Sequence, residues 1–147
     1  MTLEDTVRAV LATQPFAVFV GTELVAIAPG HAELRVALRP ELLQQHGFAH
    51  GGVVGYLVDN AIAFAGGSLL GDGVTAELKI NFLRPARGTT LVARADAVAP
   101  GSRQVVCRCD VLALVDDKAT LCATALGTVV LSGTEQASRG QSRVEDK

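Results

Sequence analysis

No tryptophan occurs in this chain of 147 residues, and there is one tyrosine, one methionine and three cysteines. A core so poor in large aromatics has to be packed from small apolar side chains, and Ala, Val and Gly dominate here. That favours close approach of backbones over bulky aromatic packing. Cationic excess is also missing, since 13 Lys and Arg face 15 Asp and Glu for a formal charge of −2. Such a chain lacks the basic field that draws nucleic acid or anionic lipid, so neither is expected as a partner. The opening MTLEDTVRAVLATQPF carries acids early and no apolar stretch behind a basic cluster, so it does not read as a secretory signal. The most apolar stretch, Val53 to Leu70, is interrupted by Asp59, Asn60 and Ser68, which argues against a membrane span. An odd number of cysteines without an export signal points to reduced thiols and a cytoplasmic location. Cys107 and Cys109 share one side of a strand-like run, and with only Cys122 to join them they read as packing rather than zinc ligands. Phosphate loops, dinucleotide-binding glycine patterns and metal-ligand helices are absent, and Ser68 lacks a nucleophile-elbow context.

What is present is 49% hydrophobic and sized for a single domain, read as residues 1–131 with a polar, aperiodic and disordered tail from Ser132 to Lys147. Thr2 or Asp5 caps a short helix to about Ala12, which Pro15 ends. Two strand-like runs follow, Ala17 to Ala28 and Ala32 to Leu38, split by the turn Pro29-Gly30-His31. Pro40 to Leu43 reads as one helical turn before a loop, Gln44 to His50. Then comes the one long helical pattern, Gly52 to about Leu69, apolar around almost its whole circumference and closed by Gly66-Gly67 and Gly71-Asp72-Gly73. A helix of that kind is surrounded by protein. Four strand segments follow, Val74–Leu83, Thr90–Ala99, Arg103–Val115 and Ala119–Leu131, joined by short turns suited to antiparallel pairing. The expectation is an α+β architecture, a curved antiparallel sheet of about six strands wrapped around the long helix.

Two features of that helix bear on chemistry. Gly51-Gly52 at its start either turns a tight corner or lets a ligand approach backbone amides that have no partner within the helix. Amides at the positive end of a helix can hold a developing oxyanion. Asp59, in the middle of an apolar helix, is either a packing device held by hydrogen bonds or a base or nucleophile facing a wet cavity. Eight residues of helix separate Gly51 from Asp59 by ~12 Å. One carbonyl needs contacts of about 3 Å with both groups. If both act on one substrate, a second copy of the chain must supply one of them, which requires a symmetric dimer.

The run HGFAHGGVVGYLVDNAIAFAGG followed by VTAELKINFLRPARG resembles the hotdog-fold acyl-CoA thioesterases of the phenylacetate-degradation (PaaI-like) type over about Phe16 to Leu131. The resemblance rests on the set Gly47, His50-Gly51-Gly52, Leu57-Val58-Asp59, Thr75 and Phe82-Leu83-Arg84-Pro85. It implies hydrolysis of an acyl- or aryl-acyl-CoA by a homodimer or a dimer of dimers, with no metal and no cofactor beyond the coenzyme A of the substrate. By that resemblance the Gly51 amide holds the thioester oxygen, and Asp59 of the partner subunit activates water or attacks the carbonyl. Thr75 places the water or the carboxylate, and His50 orients the loop. Gln44 stands where many members carry an Asn that holds the water, a departure that keeps the amide and lengthens the arm.

Further candidates surround these. Gly52 and His46 lie in the same segment as substrate contacts, though a loop histidine is more often bonded to backbone. Arg84, Arg87 and Arg103, at strand ends and turns, suit coenzyme A phosphates, though exposed arginines are more often only solvated surface. Tyr56 and Phe64 line an acyl tunnel or pack the core. Glu77 and Lys79 read as a polar strand face, and His31 as an exposed turn residue. The rival functions are a hotdog enoyl-CoA hydratase or dehydratase using His50 or His46 with Asp59, and a non-catalytic acyl-CoA-binding protein on the same fold.

Overall fold

The computed structural model describes residues 1–133, so the tail expectation falls almost wholly outside the described residues. Thr2 caps helix α1 (Leu3–Thr13) in a capping box with Asp5, which joins the two cap candidates in one device. Pro15 does not merely end that helix. It opens a second one, α2 (Pro15–Val20), because a proline at the first helical position gives up a donor that had no partner there. The strand expected from Ala17 therefore begins later, at β1 (Thr22–Ala28). Arg39 fastens the end of α2 by donating to the carbonyls of Val20 and Phe19 at 2.7 and 2.6 Å.

The remaining elements are β2 (His31–Ala37), a 3-10 turn (Pro40–Leu42), helix α3 (Gly51–Leu70), β3 (Gly73–Phe82), β4 (Thr90–Pro100), β5 (Gln104–Val115) and β6 (Lys118–Leu131). All pairings are antiparallel, in the order β1-β2-β4-β5-β6-β3. Helix α3 packs against every one of the six strands. Six strands at ~4.8 Å spacing span more than twice the width of a helix, so the sheet must curl around it. This is the hotdog architecture expected from the sequence. Burial alternates along β2 and β5, placing Leu34, Val36, Val105, Cys107, Cys109 and Val111 against the helix. Burial holds the Cys107 and Cys109 thiols protonated, with pKa values pushed up to about 11 and about 12.

Helix α3 runs through Gly66-Gly67 rather than ending there. Its glycines disfavour a helix in isolation, so tertiary burial of the Leu57, Val58, Ala61, Ile62 and Ala65 face holds it. Gly66 is where helix and sheet come closest, since a Cβ there would sit 2.7 Å from Val129 of β6. At Gly67 the nearest atom would be 3.7 Å away. Gly66→Ala is therefore expected to cost about 1–3 kcal/mol by overpacking. Gly67→Ala is expected to be neutral or stabilising, as alanine is the better helix former. Urea denaturation of the two variants checks the contrast, and equal midpoints would show that the helix is free to shift.

Candidate functional site

The loop before α3 is a small closed structure. Residues Leu43 and Ala49 form a β-bridge, the Gln44 amide donates to the Phe48 carbonyl at 2.9 Å, and Gly47 turns the chain at φ +84°. The loop is pinned at its far end, where Ala49 donates to the Ala86 carbonyl and His50 to the Leu42 carbonyl, at 3.1 and 2.9 Å. The Gln44 side chain folds back on the loop and accepts from the His46 backbone amide. The His46 ring is exposed and stacks on Phe48, on whose other contact Arg87 sits 5.0 Å from the ring centre.

His50 is the N-cap of α3, and its Nδ1 accepts from the Gly52 amide at 2.8 Å. The neutral ring thus carries its proton on Nε2, and Nδ1 is engaged. The absence of a side chain at Gly52 leaves room for this bond, since a Cβ would fall a tight 3.0 Å from that Nδ1. With the second amide of the helix occupied, the first is the free one. Among the described residues the Gly51 amide has no hydrogen-bond partner. Gly51 also lines an apolar pocket of about 400 Å³ whose walls include Val54, Phe82, Pro85 and Cys122, with Phe48 and Arg84 among its lining residues. An unpaired amide at the positive end of a helix, opening on an apolar pocket, is suited to stabilising charge on a carbonyl oxygen.

Asp59 lies elsewhere and in a different environment from the one its sequence neighbours suggest. It is exposed in the single chain and makes no hydrogen bond or ion pair among the described residues, while its neighbour Asn60 is buried at 7% exposure. Helix α3 is thus not surrounded on all sides. Gly52, Gly55, Tyr56, Asp59 and Ala63 form a stripe that the chain's own sheet leaves open. Among the described residues no group holds Asp59, so the described chain shows no hydrogen bond of the kind the packing-device alternative requires. Gly51 and Asp59 stay ~12 Å apart along the axis, as helical rise requires.

The other candidates are dispersed. Thr75 of β3 has a buried hydroxyl without a hydrogen-bond partner. Tyr56 does not present its hydroxyl to a tunnel. It is bonded to Thr22 at 2.6 Å and accepts from Asn60 at 3.2 Å, and Phe16 meets its ring edge-on. Phe64 packs partly buried against the core and also lines a cavity of about 250 Å³ between α1 and α3. Arg84 and Arg87 lie on the β3–β4 connection beside the Gly51 pocket, with Arg84 donating to the Leu121 carbonyl at 3.2 Å. Arg103 precedes β5, at the opposite end of the sheet, so one chain does not bring the three arginines together. Glu77 accepts from Thr128 at 2.8 Å and Lys79 is exposed, as a polar strand face requires. His31 is half-buried rather than free in solvent, its ring nitrogens 2.7 Å from Asp96 and 3.2 Å from Glu33. Ser68 donates to the Ala65 carbonyl and accepts from the Gly30 amide. The residue that sequence reasoning passed over is Asn60, tied through two hydrogen bonds to Gln14. Its only signal was a polar residue inside an apolar helix.

The family model described as the thioesterase superfamily matches residues 46–128, the span from the loop through the last strand. A Saccharolobus solfataricus protein named for an inferred esterase activity is 37% identical over 115 residues, covering 77% of this chain and 75% of that protein. A thioesterase family protein of Silicibacter pomeroyi superposes with a TM-score of 0.85 at 34% identity, over 90% of this chain and all (100%) of that one. The phenylacetic acid degradation protein PaaI of Thermus thermophilus does so with a TM-score of 0.72 at 31% identity, over 81% of this chain and 100% of that one.

Proposed function

Because the chain belongs to the thioesterase superfamily, with PaaI proteins among its structural neighbours, we propose that it hydrolyses an acyl- or aryl-acyl-CoA thioester to free acid and coenzyme A. The observation that carries this reading is the unpaired Gly51 amide, which lines an apolar pocket at the start of α3. The thioester oxygen accepts from that amide, so negative charge develops where a donor already waits. Asp59 of the partner subunit either acts as general base toward water or attacks the carbonyl itself, forming an acyl–carboxyl anhydride as the thiolate leaves, which water then hydrolyses. In the first case a C–O bond forms to water as its proton passes to the carboxylate. The C–S bond then breaks, and the proton leaves with the thiol.

The chain supports assembly of such a two-chain site. Among the described residues strand β3 pairs only with β6, which leaves its other edge open there, and Val74 and Phe82 on it are 55% and 60% exposed. An open edge of ten residues with an exposed apolar side chain near each end is a template for pairing with a second copy. Asp59, the carboxylate that no group among the described residues engages, then has a role. Gln44 and Thr75 are the candidates for holding water: the Gln44 NH₂ is left over when its oxygen binds the loop, and the Thr75 hydroxyl lacks a partner. His50, with Nδ1 engaged by Gly52, serves as a loop anchor rather than the base. Arg84 lines that pocket and Arg87 stacks on Phe48 of its wall, which supports a role for both in holding the phosphates of coenzyme A, whereas Arg103 lies at the other end of the sheet.

Thiol release from acetyl-, octanoyl- and phenylacetyl-CoA tests the reading. Release from at least one, at a rate proportional to enzyme, is expected. Hydration of an enoyl-CoA without thiol release would support the hydratase instead, and binding without turnover the acyl-CoA-binding protein.

A further inference from the structure

A thioester has two arms, and two of the cavities among the described residues lie against α3. The first, beside Gly51, has Arg84 at its rim. The second, of about 250 Å³, lies between α1 and the C-terminal half of α3. Leu3, Val7 and Val10 roof it, and Ala63 and Gly67 form its floor. We infer that this second cavity is the acyl chamber of the enzyme, with Gly67 and Val10 setting the size of the group it accepts. The inference rests on the thioesterase reading given above.

Position supports it first. Ala63 and Gly67 follow Asp59 by four and eight residues, on neighbouring positions of the open helix face. The Ala63 backbone therefore stands about 6 Å along the helix axis from that of Asp59. Charge supports it second. The lining contains no Lys or Arg, and its one charged residue is Asp72, which repels the phosphates of coenzyme A. Hydrogen bonding supports it third. Gln14 and Asn60 at the cavity edge are bonded to each other, and Ser68 is spent on the Ala65 carbonyl and the Gly30 amide. Three of the polar side chains in the lining are thereby satisfied within the chain, which favours an apolar occupant. At 250 Å³ the space is small, suited to one ring or a short chain.

The floor can be raised without disturbing the fold, since a Cβ on Gly67 meets nothing closer than 3.7 Å. The test compares kcat/KM for acetyl-, octanoyl- and phenylacetyl-CoA in wild type, Gly67→Leu and Val10→Ala. Gly67→Leu is expected to lower the values for the two larger groups by roughly 10-fold or more relative to acetyl-CoA. Val10→Ala, which opens the roof, is expected to move the octanoyl-to-acetyl ratio the other way. Changes that are uniform across the three substrates, or absent, in both variants would overturn the chamber. If wild type releases no thiol from any substrate, the hydrolase reading fails on its own. Calorimetric titration with phenylacetyl-CoA then decides the chamber: binding lost in Gly67→Leu sustains it, and equal binding or none in wild type overturns it.

Discussion

Asp59→Asn is expected to lower kcat/KM for thioester hydrolysis by about 10²–10⁴-fold while leaving the folded chain as stable as wild type. The two halves of that expectation come from one observation. Asp59 is exposed in the single chain and engaged by nothing among the described residues. A carboxylate in that position contributes little to folding, and replacing it by its amide isostere should change stability by no more than about 0.5 kcal/mol. The same substitution removes the only acid on the open face of α3, so neither proton abstraction nor carboxylate attack remains. A structural carboxylate would behave oppositely, with activity falling only as far as the folded fraction does. Urea midpoints measured beside thiol release separate the cases. Full activity in a folded Asp59→Asn would remove Asp59 from the reaction.

Most of the fold was legible because its signals are local. Strands β2 to β6 fall within a few residues of their alternating runs and turn signatures, and α3 within one residue of its apolar pattern at each end. Helix α2 was not legible, since Pro-Phe-Ala-Val-Phe-Val is rich in aromatic and β-branched residues that favour strands. What decides it is proline at the first helical position and an arginine that binds the two terminal carbonyls from about twenty residues away. The open stripe of α3 was hidden for a different reason. Gly55 and Ala63 count as apolar in any periodicity, so a face left bare by its own sheet looks like one that is covered. The site divides in the same way. The free Gly51 amide could be foreseen from helix ends alone, whereas the Gln14–Asn60–Tyr56–Thr22 network joins residues up to 46 apart and no local pattern announces it.

Gly51→Pro is expected to lower kcat/KM by about 10²–10³-fold, and mixing it with Asp59→Ala to restore activity that neither variant has. Proline deletes the amide hydrogen and nothing else that α3 needs. Position 51 is the first of the helix, where proline is favoured, and His50 before it lies at ψ 137°, the extended conformation that a following proline requires. A Cβ there touches only the Phe82 ring, at 3.6 Å. Gly51→Ala adds that Cβ and keeps the amide, so a loss larger in Pro than in Ala isolates the hydrogen-bond donor. The mixing experiment asks whose Asp59 the amide works with. If one site uses Gly51 of one chain and Asp59 of the partner subunit, a mixed dimer has one site with both groups lost and one with both intact. Random pairing in equal amounts makes about half the dimers mixed, so about a quarter of wild-type activity returns. A site contained within one chain would be broken in every chain of the mixture, and nothing would return. Mixed dimers captured with two affinity tags, yet no more active than their parents, would therefore rule out the shared site while leaving the Gly51 result standing.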